Sequence, residues 1–312
     1  MNLSNKYIQS CLNYTGSKYK ILPQIFPLFP ENVNNFIDLF SGGGVVAINA
    51  AEKYNNLFQN NSKIVINDNN SHIIDFFKFL KITDHDILLK NILDTIKKYN
   101  LSDTFTHGYE YYGVNSSKGL AEYNKQKYLN LRDDYNKDGL NFEEKNILLY
   151  LLIVYGFNNQ IRFNSKGSFN LPVGKRDFNL RMRSKLLFFQ EVIKRHDFVF
   201  ENKDFREITN FKKDDFIYCD PPYSLSTATY NENGGWNEQD DLDLFEYLDY
   251  ADSKGVKFAM SNISFHKGKG NDYLLNWAGK YNLYLIDHNY NNSNYQSKAK
   301  ESSTVEVLIT NY

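Results

Sequence analysis

A chain of 312 residues, 42% hydrophobic and 16% aromatic, can build one large domain or a core domain carrying an insertion, which excludes a wholly disordered protein. Its 36 Lys and Arg balance 37 Asp and Glu to a net charge of −1, which excludes a uniformly basic scaffold but leaves room for a local nucleic-acid-binding patch. Two cysteines, Cys11 and Cys219, are too few for a disulfide framework or a cysteine-built zinc site and point to a reducing compartment. The polar first ten residues hold no signal-peptide core. The longest apolar run, 147–155, is about half the roughly 20 residues of a membrane span. Lys outnumbers Arg 29 to 7 and Asn, Ile, Tyr and Phe abound, a bias that fits an AT-rich coding genome, bacterial or phage.

The first element is an apolar strand at 36–40, followed by Ser41-Gly42-Gly43-Gly44 and an Ala- and Val-rich helix over 45–53. A second strand at 63–67 ends on Asp68 and leads into a helix over 71–81. Strand, glycine turn, helix and strand in that order open a parallel α/β sheet. From 84 to 155 apolar residues recur at helical spacing, and 156–185 breaks the pattern with Gly, Asn, Pro and basic residues. Strands are expected again at 198–201, 216–219, 256–260, 283–286 and 305–309, with a helix around 240–253. The last strands predict an antiparallel closure of a mixed sheet. The division is therefore 1–82 and 179–312 for the two parts of a core domain and 83–178 for an insertion, the kind of segment that supplies recognition.

Glycines between strand and helix let the backbone approach a ligand, and the following helix offers unpaired N–H groups. Read as Gly42-x-Gly44-x-x-Ala47, the turn fits a dinucleotide fingerprint with Asp68 as the ribose acid. A plain strand-to-helix turn, with Asp68 as a helix cap, is the alternative. More specific is Asp220-Pro221-Pro222-Tyr223 directly after the strand at 216–219. Two prolines fix a rigid turn and leave the Pro221 carbonyl without a local N–H competitor. Carboxylate, carbonyl and aromatic face then meet at a strand's carboxyl end, where α/β sheets bind ligands. An exocyclic amine could donate one hydrogen to Asp220 and one to Pro221 while its ring stacks on Tyr223, gaining nucleophilicity as it loses conjugation.

These residues bring the chain close to a known family: it resembles the Dam-like (D12, alpha-group) DNA adenine-N6 methyltransferases that use S-adenosylmethionine. The resemblance runs through nearly the whole chain in the family's order. Asn13-Tyr14-Thr15-Gly16-Ser17-Lys18 is similar to the family's first motif, which implies cofactor contacts for Tyr14 and Lys18. The run Asp38-Leu39-Phe40-Ser41-Gly42-Gly43-Gly44 resembles the cofactor loop, with Asp38, Phe40, Gly42 and Gly44 in it and Asp68 on the ribose hydroxyls. Asp204-Phe205 is similar to the pair that holds the cofactor's adenine, and Asp220, Pro221, Pro222 and Tyr223 match the catalytic tetrapeptide, Asp220 also lining the cofactor site. Residues 157–164 and 169–175 resemble the DNA-contacting hairpin, implying roles for Phe157, Asn158, Arg162, Asn164, Asn170, Lys175 and Arg176. Between 160 and 185 seven basic residues face one acid, Asp177, the local positive excess that phosphate binding requires. Arg162 suits the O6 and N7 edge of guanine, and Phe157 suits a wedge beside an extruded base.

The sequence departs from the family mildly in the cofactor loop, at Ser41 and Gly43, and at Phe157, Gln160 and Ile161 where sequence is read, so a GATC target does not carry over. Residues 227–236 and 305–312 resemble methyltransferases that accompany FokI-type restriction enzymes. The implied fold is a Rossmann-like α/β methyltransferase, a mixed sheet with helices on both faces and an inserted helical and hairpin target-recognition domain. The implied partners are double-stranded DNA and a cognate endonuclease acting on the same site, with the enzyme a monomer or weak dimer in a bacterial or phage-infected cytoplasm, away from membranes. No histidine pair has metal-ligand spacing, Cys219 reads as packing, and no Pro-Cys dipeptide exists for cytosine-C5 chemistry. Amino methylation of cytosine N4, RNA adenine or protein glutamine, a nicotinamide-dependent oxidoreductase, and a DNA-binding module without catalysis remain as rivals.

Overall fold

A computed structural model describes residues 7–54, 62–225, 235–287 and 304–312. In chain order the helices are α1 (Leu22–Ile25), α2 (Val45–Tyr54), α3 (Ser71–Ile82), α4 (His85–Lys98), α5 (Thr104–His107), α6 (Ala121–Tyr135), α7 (Phe142–Tyr155), α8 (Leu180–Arg195), α9 (Glu238–Ser253) and α10 (Asp272–Ala278). The strands are β1 (Phe36–Asp38), β2 (Ile64–Asn67), β3 (Phe198–Glu201), β4 (Phe216–Cys219), β5 (Lys257–His266), β6 (Lys269–Gly270), β7 (Asn282–Ile286) and β8 (Thr304–Thr310). Among the described residues no helix is long and apolar enough to cross a membrane.

The chain forms two compact units: Met1–Ser17 with Asn70–His196, and Lys18–Asn69 with Asp197–Tyr312. The second unit is a single sheet in the order β3-β2-β1-β4-β5-β8-β7, with β6 paired to β5. Its first five strands run parallel and β8 and β7 close it antiparallel, the mixed sheet that the alternation of strands and helices predicts. Such short, mostly apolar strands suit a parallel sheet buried on both faces; β1 and β4 are buried at every position. Ile37, Ile217, Phe258 and Val307 pack with Leu244 and Leu248 of α9 in one core cluster. From β1 the chain goes outward to β2 and β3 on one side and later to β4 and β5 on the other. The carboxyl ends of β1 and β4 therefore lie side by side at the point where strand order reverses, the place where open α/β sheets bind ligands.

One strand exceeds expectation: β5 continues past Met260 to His266. Ser261 and Asn262 break the apolar run, yet both are 1% exposed, and the Ser261 hydroxyl is 2.8 Å from the Tyr218 hydroxyl on β4. A satisfied polar side chain is compatible with a strand that pattern alone would end.

The first unit is helical. Asn70, Asp84, Asn141 and Asn179 cap α3, α4, α7 and α8, and Asn141 and Glu144 form a reciprocal capping box. The apolar run at 147–155 lies in α7, which is buried from Asn146 to its end and packs against α3, α4 and α6. By contact, α3 and α8 join this unit, so it extends beyond 83–178 on both sides.

Candidate active site

In the second unit the 220–223 turn leaves β4 beside a short 3-10 turn, Lys18–Lys20. The Lys18 ammonium is 2.9 Å from Asp220 Oδ1 and 3.3 Å from Glu306 Oε1, and it donates to the Tyr223 hydroxyl at 2.7 Å. That hydroxyl donates in turn to Asp220 Oδ1 at 2.7 Å. Burial by itself would lower the Lys18 pKa, but the Asp220 and Glu306 carboxylates outweigh it and hold the group above its ordinary value. Burial raises Asp220 above the usual carboxylate range; Lys18 and the Tyr223 hydroxyl oppose the rise and Glu306 adds to it. Cys219, the last residue of β4, is fully buried in the apolar core, and burial holds its thiol well above the usual range. It packs, and it is no nucleophile.

The loop after β1 is built for close approach. Gly42 and Gly44 take positive φ, 48° and 70°, which side chains disfavour. The Gly42 N–H donates to Asp68 Oδ2 at 2.8 Å. Asp68 is placed there by Asn67, whose side chain donates to the Leu39 and Lys203 carbonyls and accepts from the Lys203 N–H, tying together the loops that follow β1, β2 and β3. Asp38 is 1% exposed; its Oδ2 accepts from the Ala47 N–H at the start of α2, while Oδ1 and the Ser41 hydroxyl are buried with no hydrogen-bond partner among the described residues. Burial, together with Asp220 and Asp68, pushes the Asp38 carboxyl well above its usual range. Two orphaned polar atoms on a glycine turn fit a polar ligand at this loop. Beside it the Phe40, Phe205 and Trp236 rings meet at centroid distances of 5.4–5.7 Å. Asp204 caps the short turn that begins at Phe205 and pairs with Arg206, which also bridges Asp240 and Asp243 of α9. Lys18, Asp38, Phe40, Gly42, Gly44, Asp68, Asp204, Phe205 and Asp220–Tyr223 thus all belong to the second unit.

Tyr14 belongs to the first unit, where its carbonyl accepts from the Ser17 N–H. So do all the residues expected to touch DNA. The segment after α7 is an irregular hairpin: Gly156 bridges Val173 and Phe163 bridges Phe169, with Phe157 N–H on the Pro172 carbonyl and Asn170 N–H on the Arg162 carbonyl. Phe157 is 49% exposed. Asn158 and Asn159 take positive φ, and Asn159 ties the turn back to the Ile153 and Val154 carbonyls of α7. The exposed Arg162 guanidinium is held by the Asn170 side chain and carbonyl, each at 2.8 Å. Asn164 spends its side-chain oxygen on the Lys166 and Ser168 N–H groups at the hairpin tip, a turn-forming position. Lys175 is exposed, and Arg176 donates to the Tyr109 hydroxyl and the Ser116 carbonyl.

Two residues escaped sequence reasoning. Glu306 stood inside an apolar strand pattern, and that misplaced charge was its signal. Trp236 enters the sequence reading only within the 227–236 resemblance, of which residues 227–234 lie outside those described.

Residues 14–292 match the family model of the D12 class N6 adenine-specific DNA methyltransferases. The chain is 37% identical over 99% of its length to the modification methylase StsI of Streptococcus sanguinis, and 37% identical over 99% to the type II methyltransferase M.FokI of Planomicrobium okeanokoites. It spans 44% of the length of each. The type II methyltransferase M1.LlaDCHI of Lactococcus lactis subsp. cremoris is 27% identical over 100% of this chain and 99% of its own length. The FokI-type resemblance expected from the sequence agrees with these relatives. On the family match and the full-length similarity, the chain belongs to the D12 class of N6 adenine-specific DNA methyltransferases.

Proposed function

We propose that this chain transfers a methyl group from S-adenosylmethionine to N6 of an adenine extruded from duplex DNA at a specific site. The observation that carries the reading is the 220–223 turn at the reversal point of the sheet, with Asp220 anchored on Lys18. Lys18 and Tyr223 both address Oδ1, and a carboxylate has a second oxygen with lone pairs for a substrate amine. Asp220 accepts one amine hydrogen and the Pro221 carbonyl the other, which holds the nitrogen lone pair out of conjugation. The Tyr223 ring, fixed through its hydroxyl, packs on the base.

Asp38, Phe40, Gly42, Gly44, Asp68, Asp204 and Phe205, with Tyr14 and Lys18, are the residues that hold the methyl donor. The buried orphan atoms of Asp38 and Ser41 and the glycine backbone fit its polar nucleoside and amino-acid parts. When bound, the donor supplies an electrophilic methyl on a sulfonium. The protein's contribution is alignment more than acid–base strength, since the amine proton becomes acidic only after the methyl has arrived. Residues 83–178 read the target, with Phe157, Asn158, Arg162, Asn164, Asn170, Lys175 and Arg176 on DNA. The relatives' names, a modification methylase and a type II methyltransferase, support a restriction-modification setting. A cognate endonuclease acting on the same site, a bacterial or phage-infected cytoplasm and a monomer or weak dimer complete the reading.

The test is methyl transfer from labelled S-adenosylmethionine to unmethylated DNA, with product nucleosides separated. Label is expected in N6-methyladenine, and Asp220→Ala is expected to lower the rate about a hundredfold or more. Lys18 keeps Glu306 as a partner in that variant, so the fold should hold. Label in N4-methylcytosine would move the substrate to cytosine, and no label in DNA would end the proposal.

A further inference from the structure

Glu306 is 1% exposed on β8, between β5 and β7, with Ile263 and Ile286 as its strand partners. Its neighbours along the strand are Val305 and Val307. Placing a carboxylate there carries a desolvation penalty that a buried ion pair rarely more than offsets, so stability is a poor explanation for it. Its Oε1 lies 3.3 Å from the Lys18 ammonium, which the same geometry places on Asp220. One cation is therefore divided between the buried Glu306 carboxylate and the partly exposed Asp220 carboxylate, which faces the reacting amine in the function proposed above.

We propose that Glu306 is a positioning residue for Asp220: by holding part of the Lys18 ammonium, it keeps Asp220 from closing into a full ion pair and leaves its carboxylate a strong acceptor for the substrate amine. The inference rests on Asp220 being that acceptor. An Asp220 carboxylate with sole use of Lys18 would be better stabilised and would attract amine hydrogens less. A second negative charge close by and a shared cation both act against this. The groups facing Asp220 are Lys18 and Tyr223, Glu306 from β8, Asp38 from β1, and Tyr218 and Cys219 of β4. Glu306 raises the affinity of Asp220 for a proton, while Lys18 and Tyr223 lower it.

The test uses the full chain without donor or DNA. Side-chain carboxyl carbons of aspartate are isotopically labelled, Asp220 is assigned with Asp220→Asn, and its titration is followed by NMR in the wild type, Glu306→Gln and Glu306→Asp. Glu306→Gln is expected to move the Asp220 midpoint to lower pH. Glu306→Asp, whose carboxylate withdraws by one methylene, is expected to move it the same way by less. Single-turnover methylation by Glu306→Gln should fall about tenfold, with its acidic limb displaced downward in step and the KM for DNA little changed. If Glu306→Gln does not fold, Glu306→Asp carries the test alone. An Asp220 midpoint that stays in place in the folded variants overturns the proposal, whatever their activity. A wild type that titrates as expected but labels no DNA would instead overturn the methyltransferase reading and leave the coupling standing.

Discussion

Asp38 ends β1 with a carboxyl group that folding has taken out of water, and its proton should be legible in stability. Burial, then Asp220 and Asp68, raise it well above the ordinary 3.8, against one opposing bond from the Ala47 N–H. A carboxyl with a raised folded-state pKa stabilises the protein fully below its unfolded value. That contribution is lost as pH rises toward the folded value. Asp38→Asn removes the titration while keeping the shape and an acceptor for Ala47. The stability of the wild type relative to Asp38→Asn, from urea midpoints, is thus expected to decline as pH rises from mildly acidic to neutral. Parallel curves would mean that Asp38 binds its proton no more tightly folded than unfolded. Residue identity at this turn could be read from the sequence, because glycines and an aspartate before a helix mark a ligand loop. Its electrostatics could not, because the burial of Asp38 and the nearby charges of Asp220 and Asp68 arise only when the chain folds.

At the scale of elements, short apolar strands bounded by turn residues were readable: β2, β3 and β4 fall within a residue of expectation. The far end of β5 was not, since its Ser261 hydroxyl is satisfied by Tyr218 of β4, a partner remote in sequence. The hairpin's composition was readable and its closure was not. A Cβ on Gly174 would stand 2.2 Å from the Gly156 carbonyl oxygen, and one on Gly156 would stand 2.5 Å from the Leu152 carbonyl oxygen and Leu171 Cδ2. The two chain segments cross where only glycine fits, pinned by Gly174 N–H on the Tyr155 carbonyl at 2.7 Å. Gly174→Val is therefore expected to destabilise the crossing by about 1–3 kcal/mol. Amide exchange at 155–160 and 170–175 should quicken while exchange in β1 and β4 stays slow. Unchanged protection at Phe157 and Asn159 would show that the crossing does not hold the exposed turn in place.

For the whole molecule a net charge of −1 understates what DNA would meet. The one acid among the seven basic residues of 160–185 is Asp177, and it is 0% exposed. Its carboxylate accepts from the Thr104 N–H at 2.7 Å and the Thr104 hydroxyl at 2.8 Å, with the Ser102 hydroxyl at 3.3 Å. Counting charges along the chain sets Asp177 against the patch, whereas folding turns it inward, so the segment presents cations with little to cancel them. A protein that neutralises about six phosphates should lose about a thousandfold in affinity between about 50 and 200 mM salt, in spite of its neutral composition. Lys175→Ala should weaken binding to all duplexes alike and reduce the logarithmic salt slope by about one. Arg162→Ala, which removes a guanidinium braced by Asn170, should instead flatten the preference among target sequences. Fluorescence anisotropy across a salt series, with target and scrambled duplexes, separates the two. A salt slope near zero would mean that the patch does not meet phosphate, and DNA would have to be held elsewhere on the chain.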